Sequence, residues 1–392
     1  MSKRLTIGIK ATQIGPGGGL THLTQCLKWF PILAPEMHFI VYAASGHERH
    51  LKTDAENIDF RFYHFPSFGL PARLLWEQTA LPEFVSRDKC DLLFEPGNYA
   101  IKNPPCPSVP LIHNLAPFIP EYIATETAYQ QFRLRLLRYG TTSAIASSAG
   151  TIFLSQFARN VLRHHVDLSS TQSTVIYHGA TDQVSKPMCA REKFILCVSH
   201  IYRYKGILEL VKGYAQAIAT QSELPKLVIA GHPYDRPYTA QIESAISLAG
   251  LGEKVQFLGS VGEEQLQQLY RTCEFFVFPS TIENCPNILI EALAAGCPIL
   301  SSNCGVMPEI CGDAALYCDP SDVTSISESL LELHRNQRLR NSLSDKAAAR
   351  TSMFSWRSTA QQTLDFFRQI LSKPVTQPEP TEQLATMAGE RH

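Results

Sequence analysis

The sequence predicts an α/β protein built from two doubly wound parallel sheets that face one another across a cleft. Three observations carry this. The 392-residue length exceeds one ordinary domain and suits two. Short apolar runs alternate with longer amphipathic ones, the pattern of buried parallel strands covered by helices on both faces. The alternation also runs through once, pauses near Lys186-Pro187, and then restarts.

In the first series, "LTIGI", "HFIVYA", "CDLLF", "VPLIHN" and "TIFLS" read as strands, and residues 1–185 form the first domain. In the second, "KFILCV", "KLVIAG", "VQFLG", "FFVF" and "PILSS" read as strands, and the second domain runs over residues 186–354. The end of the chain, residues 373–392, is polar, proline-bearing and without an apolar period, and is read as a disordered tail. Ligands of such sheets bind beyond the carboxyl ends of the strands, so the loops after the strands are where chemistry is expected.

Composition narrows the function. The formal net charge of −1 gives no reason to expect nucleic acid, whose binders carry a basic excess. The start, "MSKRLTIGIKATQ", lacks the apolar stretch of a signal peptide, and no run approaches the length of a membrane span, so a cytoplasmic protein is expected. The eleven cysteines include no C-x-x-C pair. Cys297, Cys304, Cys311 and Cys318 recur every seven residues, which is not metal-ligand spacing, and they are read as small semi-buried thiols.

The motifs fall on the loops. "IGPGGGLTHL" is a glycine-rich turn entering a helix. Gly15 and Gly17 begin a dinucleotide fingerprint, but its third glycine falls on Leu20 and the acidic ribose partner is missing. What remains is either a plain strand-to-helix turn or a loop where backbone approaches an anionic or sugar ligand at a helix N-terminus. His113 and Asn114 follow a strand, and a lone histidine there fits a structural or a catalytic role. In "RLLWEQTALPEF", Trp76 reads as core, and the structural reading of Glu77 and Gln78 is preferred over a place in the cleft. Arg203 and Lys205 lie between a strand and a helix entered at Gly206, where an arginine fork and a lysine point charge suit a diphosphate. Gly231 directly follows another strand.

The stretch "ENCPNILIEALAAG" combines the most signals. Pro286 suits the first turn of a helix and Gly296 its end, which leaves free N–H groups near Asn287 and Ile288 for a phosphate. Glu283 precedes this helix and Glu291 lies inside it. Eight residues of helical rise span roughly 12 Å, more than the 5–9.5 Å between paired glycosidase carboxyls. The two glutamates are better placed to grip opposite ends of a long ligand that carries hydroxyls at both ends of a diphosphate.

From "PGGGLTHL" to "FSWRSTAQQTLDFFRQIL" the chain resembles the family 4 retaining glycosyltransferases of the GT-B fold, whose two domains are Rossmann-like. The likeness is most specific in "VSHIYRYKGILEL", "LVIAG", "VQFLGSVGEEQLQQLYRTCEFFVFPSTIENCPNILIEALAAGCPILSSNCGVMPEI" and "ALYCDP". Glu283 and Glu291 match the family's E-x₇-E signature. The resemblance implies that the second domain binds the nucleotide of an activated sugar. Glu283 would contact sugar hydroxyls, Glu291 the ribose, Lys205 the diphosphate, and Asn287 and Ile288 a phosphate. Gly18 and Gly19 would lie near the sugar-phosphate, and His113 beside the transferred sugar. The last helix, residues 355–372 with Trp356, would cross back to the first domain. Three positions depart from the common pattern: His200 stands where an arginine is usual, leaving Arg203 as the candidate second phosphate cation, Asn114 replaces an aspartate, and His178 replaces an asparagine.

The expected activity is transfer of a sugar from a nucleotide-diphosphate donor to an acceptor hydroxyl with retention, in polysaccharide or glycolipid synthesis, with no cofactor and no bound metal. The rivals are a sugar-nucleotide epimerase of the same fold and a catalytically silent sugar-nucleotide-binding subunit. The expected partners are the donor and a glycan or lipid-linked acceptor. "QQFRLRLLRYG", with Arg133, Arg135 and Arg138 among apolar residues, fits either a peripheral contact with anionic lipid on the inner membrane face or a buried helix with arginines at its margin.

Overall fold

The computed structural model describes residues 4–15, 17–51, 53–64, 69–169, 171–180 and 192–372. The expected boundary at 185/186 and the tail at 373–392 lie outside them. The first sheet comprises β1 (Thr6–Ala11), β2 (His38–Ala44), β3 (Ile58–Tyr63), β4 (Leu92–Pro96), β5 (Ser108–Ile112), β6 (Gly150–Phe153) and β7 (Gln172–Val175), in the order β3-β2-β1-β4-β5-β6-β7. The second comprises β8 (Phe194–Val198), β9 (Lys226–Ala230), β10 (Val255–Gly259), β11 (Phe275–Phe278), β12 (Ile299–Ser302) and β13 (Ala315–Cys318), in the order β10-β9-β8-β11-β12-β13. Every pairing within the two sheets is parallel.

All ten expected strands are present, and the three that the apolar pattern did not single out, β3, β7 and β13, are edge strands. An edge strand is covered less completely and does not need a continuous apolar run. "IDFRFY" in β3 and "QSTV" in β7 are largely half-buried, whereas β4 and β11 are buried throughout.

Each sheet reverses its strand order once, between β1 and β4 and between β8 and β11. These reversals are where loops diverge and open a crevice. The glycine loop follows β1, and the loops carrying Lys205 and Glu283 follow β8 and β11, so the topology brings the last two side by side.

The final helix, Trp356–Ser372, returns to the first sheet. Its buried residues, including Ala360, Leu364 and Phe367, recur at helical spacing, and Phe367 packs against Phe30 and Phe94 at centroid distances of 6.2 and 5.2 Å. Two polar clamps close the seam between the sheets. Asn284 Nδ2 donates to the carbonyls of Ile112 (2.8 Å) and His113 (2.9 Å). Glu309 accepts from the backbone N–H of Gln156 (2.6 Å) and Phe157 (2.8 Å) and from the Tyr177 hydroxyl (2.8 Å).

Glu77 has the structural role read from the sequence. It is fully buried, accepts from the Thr12 hydroxyl at 2.6 Å and from Gln13, and lies 3.8 Å from Lys10, which also pairs with Glu95 at 3.0 Å. This buried network anchors the residues leading into the glycine loop. The four cysteines at seven-residue spacing are free thiols distributed over separate elements.

Candidate active site

Two cavities of about 400 Å³ each adjoin in the cleft and share Gly18, Glu283 and Cys285. The first holds Gly19, His113, Asn114, His178 and Tyr204. The second holds Lys205, His200, Gly231, Asn287, Ile288 and Glu291. Nine of the ten residues singled out from the sequence therefore line one continuous groove, with Glu283 at its midpoint and Glu291 in the second chamber.

Lys205 ends a short 3₁₀ turn, and Gly206 behind it has φ +66°. A Cβ there would lie 2.5 Å from the Pro279 carbonyl oxygen, so only glycine lets the turn press against the loop after β11. That contact brings Lys205 Nζ within 2.5 Å of Glu283 Oε1, which also accepts from the Ser280 hydroxyl at 2.8 Å. Without ligand, the cation and the carboxylate thus neutralise one another. Gly231 has φ +154°, and a Cβ there would fall 1.9 Å from the Ser199 carbonyl oxygen.

The helix Asn287–Ala294 opens at Pro286 with no side-chain cap; the N–H groups of Leu289 and Ile290 donate to the Pro286 carbonyl at 3.1 and 3.2 Å, and Asn287 and Ile288 line the second cavity at the helix entrance. Glu291 is one turn further in. Burial raises its carboxyl to about 7, opposed by the Tyr270 hydroxyl 3.5 Å away and assisted by Glu263. A carboxylate held in this way accepts hydrogen bonds from hydroxyls strongly once charged.

Arg203 takes a different course. It lies outside both cavities, 3.8 Å from Asp235 and stacked over Tyr238 at 5.4 Å, with about half its side chain exposed. His200 lines the second cavity instead, and burial and the neighbouring Lys205 and His232 lower its pKa. Lys205 is thus the cation of the groove among the described residues.

A cluster of three buried imidazoles forms the wall beneath the first cavity. His113 lies 5.5 Å from His22 and 5.8 Å from His178, and Trp356 closes the cluster at 5.3 Å from His178. Burial and the neighbouring His178 lower His113 to about 3, and burial lowers His178 to about 4. All three rings are neutral near pH 7. His178 Nδ1 donates to Asn287 Oδ1 at 2.6 Å, tying this wall to the helix entrance. His113 Nε2 is buried and has no hydrogen-bond partner among the described residues. His22 lies within "IGPGGGLTHL", but nothing in that stretch singles it out. His178 stood out only as a departure from a family pattern, and Asn284 was hidden inside the glutamate stretch.

Residues 182–350 match the family described as glycosyl transferases group 1. The chain is 33% identical over 114 residues to the O-antigen chain mannosyltransferase B of Escherichia coli, covering 29% of this chain and 30% of that protein. It is 30% identical over 179 residues to the mannosylfructose-phosphate synthase of Agrobacterium fabrum, covering 44% of this chain and 39% of that protein. The matches thus span roughly a third of these relatives' length. In fold, the chain is similar to HepE of Anabaena, solved with UDP and glucose, with a TM-score of 0.71, 17% identity, and coverage of 93% of this chain and 100% of that one. Residues 182–350 are thus similar to the glycosyl transferases group 1, and the chain as a whole has the GT-B fold.

Proposed function

We propose that this protein transfers a sugar from a nucleotide-diphosphate donor to an acceptor hydroxyl with retention of configuration, as a hexosyltransferase in polysaccharide or glycolipid synthesis. The observation that carries the reading is the position of Glu283, at the junction of two chambers and paired with the groove's cation. In this reading the nucleoside diphosphate lies in the second chamber. Glu291 accepts from the ribose hydroxyls, while Lys205 and the N–H groups of Asn287 and Ile288 take the diphosphate. The sugar reaches past Glu283 toward His113. The bond from the anomeric carbon to the phosphate oxygen breaks, the bond to the acceptor oxygen forms, and the acceptor's proton leaves with the diphosphate. Fixed positive charge around the departing diphosphate stabilises charge that develops in the transition state. Neutral His113 keeps a ring nitrogen available to a sugar hydroxyl. No cofactor or metal takes part.

The named activities of the two relatives support a hexosyl donor, and the UDP and glucose held by HepE support a nucleotide-sugar ligand. Melting-temperature shifts with a panel of UDP-, GDP- and ADP-sugars test the donor, because a ligand of the folded state raises apparent stability. Release of nucleoside diphosphate that requires an acceptor is expected. An altered sugar nucleotide formed without any acceptor would mark the protein as an epimerase.

Peripheral membrane association belongs to the same reading. Among the described residues no helix is long and apolar enough to cross a membrane. The helix Ala128–Ser147, however, exposes Tyr129 (69%), Phe132, Leu136 and Tyr139 (72%) along one side, with Arg133, Arg135 and Arg138 also exposed. Apolar anchors beside cations suit an anionic bilayer surface. Co-sedimentation with phosphatidylglycerol vesicles should fall in Arg135→Glu. Binding indifferent to both lipid charge and this substitution would remove the idea.

A further inference from the structure

A row of aromatic rings leaves the first chamber and runs outward along the cleft. Tyr122 and Tyr204, both lining that chamber, meet edge to face at 5.8 Å. Tyr202 lies near-parallel to Tyr204, with 5.7 Å between centroids and 13° between planes, and Tyr234 near-parallel to Tyr202 at 5.5 Å and 5°. His232 and His200 flank Tyr234 at 4.5 and 5.0 Å. Tyr122 belongs to the first domain, while the other tyrosines sit on the loops after β8 and β9, so the row bridges the cleft mouth.

Beside the row is a separate cavity of about 580 Å³, lined by Tyr122, Tyr202 and Tyr234 together with Glu126, Gln130 and Asp235. Tyr234 is 52% exposed, so this is not a core in which aromatic side chains gather to leave water. Tyr122 lines both this cavity and the first chamber, which makes the two neighbours.

We infer that this outer cavity holds the growing end of an oligosaccharide acceptor, one or more sugar residues back from the hydroxyl that receives the transferred sugar. This names the acceptor class of the proposed transferase and rests on that reading. A pyranose has an apolar C–H face and a rim of hydroxyls. Tyrosines combine an aromatic body with a polar tip, and carboxylates and amides supply acceptors and donors for the rim. A polyprenyl chain would meet carboxylate and amide groups that it cannot satisfy. The nucleotide belongs at Glu291, in the chamber on the other side of Glu283. Arg203, outside the donor chambers, pairs with Asp235 on this cavity's wall and holds it in place.

The test uses the full-length protein and manno-, gluco- and galacto-oligosaccharides of one to five residues. Binding is read by saturation-transfer NMR and calorimetry, in parallel with nucleoside diphosphate binding and turnover. At least one series should bind more tightly as it lengthens from one to three residues. Tyr234→Ala should abolish that gain, Tyr234→Phe should keep most of it, and neither should change nucleoside diphosphate affinity. Tyr234 is exposed, so its truncation leaves the fold intact, and an unchanged melting temperature checks this. The inference is overturned if no series gains affinity with length, or if the gain survives in Tyr234→Ala. Turnover on a monosaccharide acceptor without any length dependence would sink the inference and leave the transferase reading standing. Length-dependent glycan binding without turnover would do the reverse.

Discussion

Lowering the pH from 8 to 6 should weaken nucleoside diphosphate binding about tenfold, and the loss should trace to one carboxyl. Burial raises Glu291 to about 7. Its ionised fraction is then roughly nine tenths at pH 8 and one tenth at pH 6, a difference of about 1.4 kcal/mol in the free energy of presenting a carboxylate. Ribose hydroxyls that donate to Glu291 favour its charged form, so the bound state has the lower pKa. Affinity is therefore full above the free-state value and falls as pH drops through it, with a proton released on binding below pH 7. Calorimetry with UDP, GDP and ADP at pH 6, 7 and 8, in two buffers of different ionisation enthalpy, reads both affinity and proton release. Glu291→Gln should flatten the dependence and weaken binding at pH 8 by about 1.5–3 kcal/mol, the usual worth of a charged hydrogen bond. The ligand's own phosphate titration and that of His200 are common to both proteins and cancel in the comparison. An affinity flat from pH 6 to 8 in the unmodified protein, or a slope that survives in Glu291→Gln, would refute the assignment of this carboxyl to the ribose.

Other consequences can be measured separately. Glu283→Gln should lower kcat by about a hundredfold or more, the scale of losing one group that stabilises transition-state charge or geometry. Because the substitution also releases Lys205 from its partner, affinity for the bare nucleoside diphosphate should hold or tighten, and a parallel loss of that affinity would contradict the role. Gly231→Ala should cost about 1–3 kcal/mol through strain at a positive φ and lower the melting temperature, since its Cβ would meet the Ser199 carbonyl oxygen at 1.9 Å. Gly18→Ala should fold normally, because the nearest atom to its Cβ is 3.8 Å away, and a defect should show only in donor binding. Transfer should continue in excess EDTA, because Lys205 and the helix entrance already face the diphosphate site, whereas loss restored by Mg²⁺ or Mn²⁺ would overturn that arrangement.

What could be read from the sequence follows the range of the interactions involved. Strands buried on both faces announce themselves by continuous apolar runs, and the half-covered edges β3, β7 and β13 do not. Glu283, Asn287 and Glu291 were legible because one loop and one helix carry them, so the spacing along the chain is itself the geometry. Lys205 was legible through the turn that Gly206 permits. Arg203 was not, because two residues along a tight turn point to different surroundings, and only the neighbouring loop bearing Asp235 decides where the guanidinium goes. The imidazole cluster was less legible still. His22, His113, His178 and Trp356 come from four distant segments, and they meet because the first sheet's helix and loops and the returning last helix converge on one end of that sheet. In the tyrosine row, Tyr202, Tyr204 and Tyr234 come from neighbouring loops of one domain, and only Tyr122 reaches it across the cleft.

The clamp at Asn284 bears on how such proteins can be recombined. Its amide holds two carbonyl oxygens at the end of β5, and a carbonyl is the same whatever side chain its residue bears. On the amide's other side, Oδ1 accepts from the Ser155 hydroxyl at 3.2 Å, so Ser155 is the one side chain of the first domain that this joint reads among the described residues. An exchanged first domain needs a strand ending in the same place and a hydroxyl where Ser155 stands to be accepted, which leaves its other loops free to vary. Chimeras cut within residues 181–191 would retain this grip, whereas replacing Asn284 would loosen every such pairing alike.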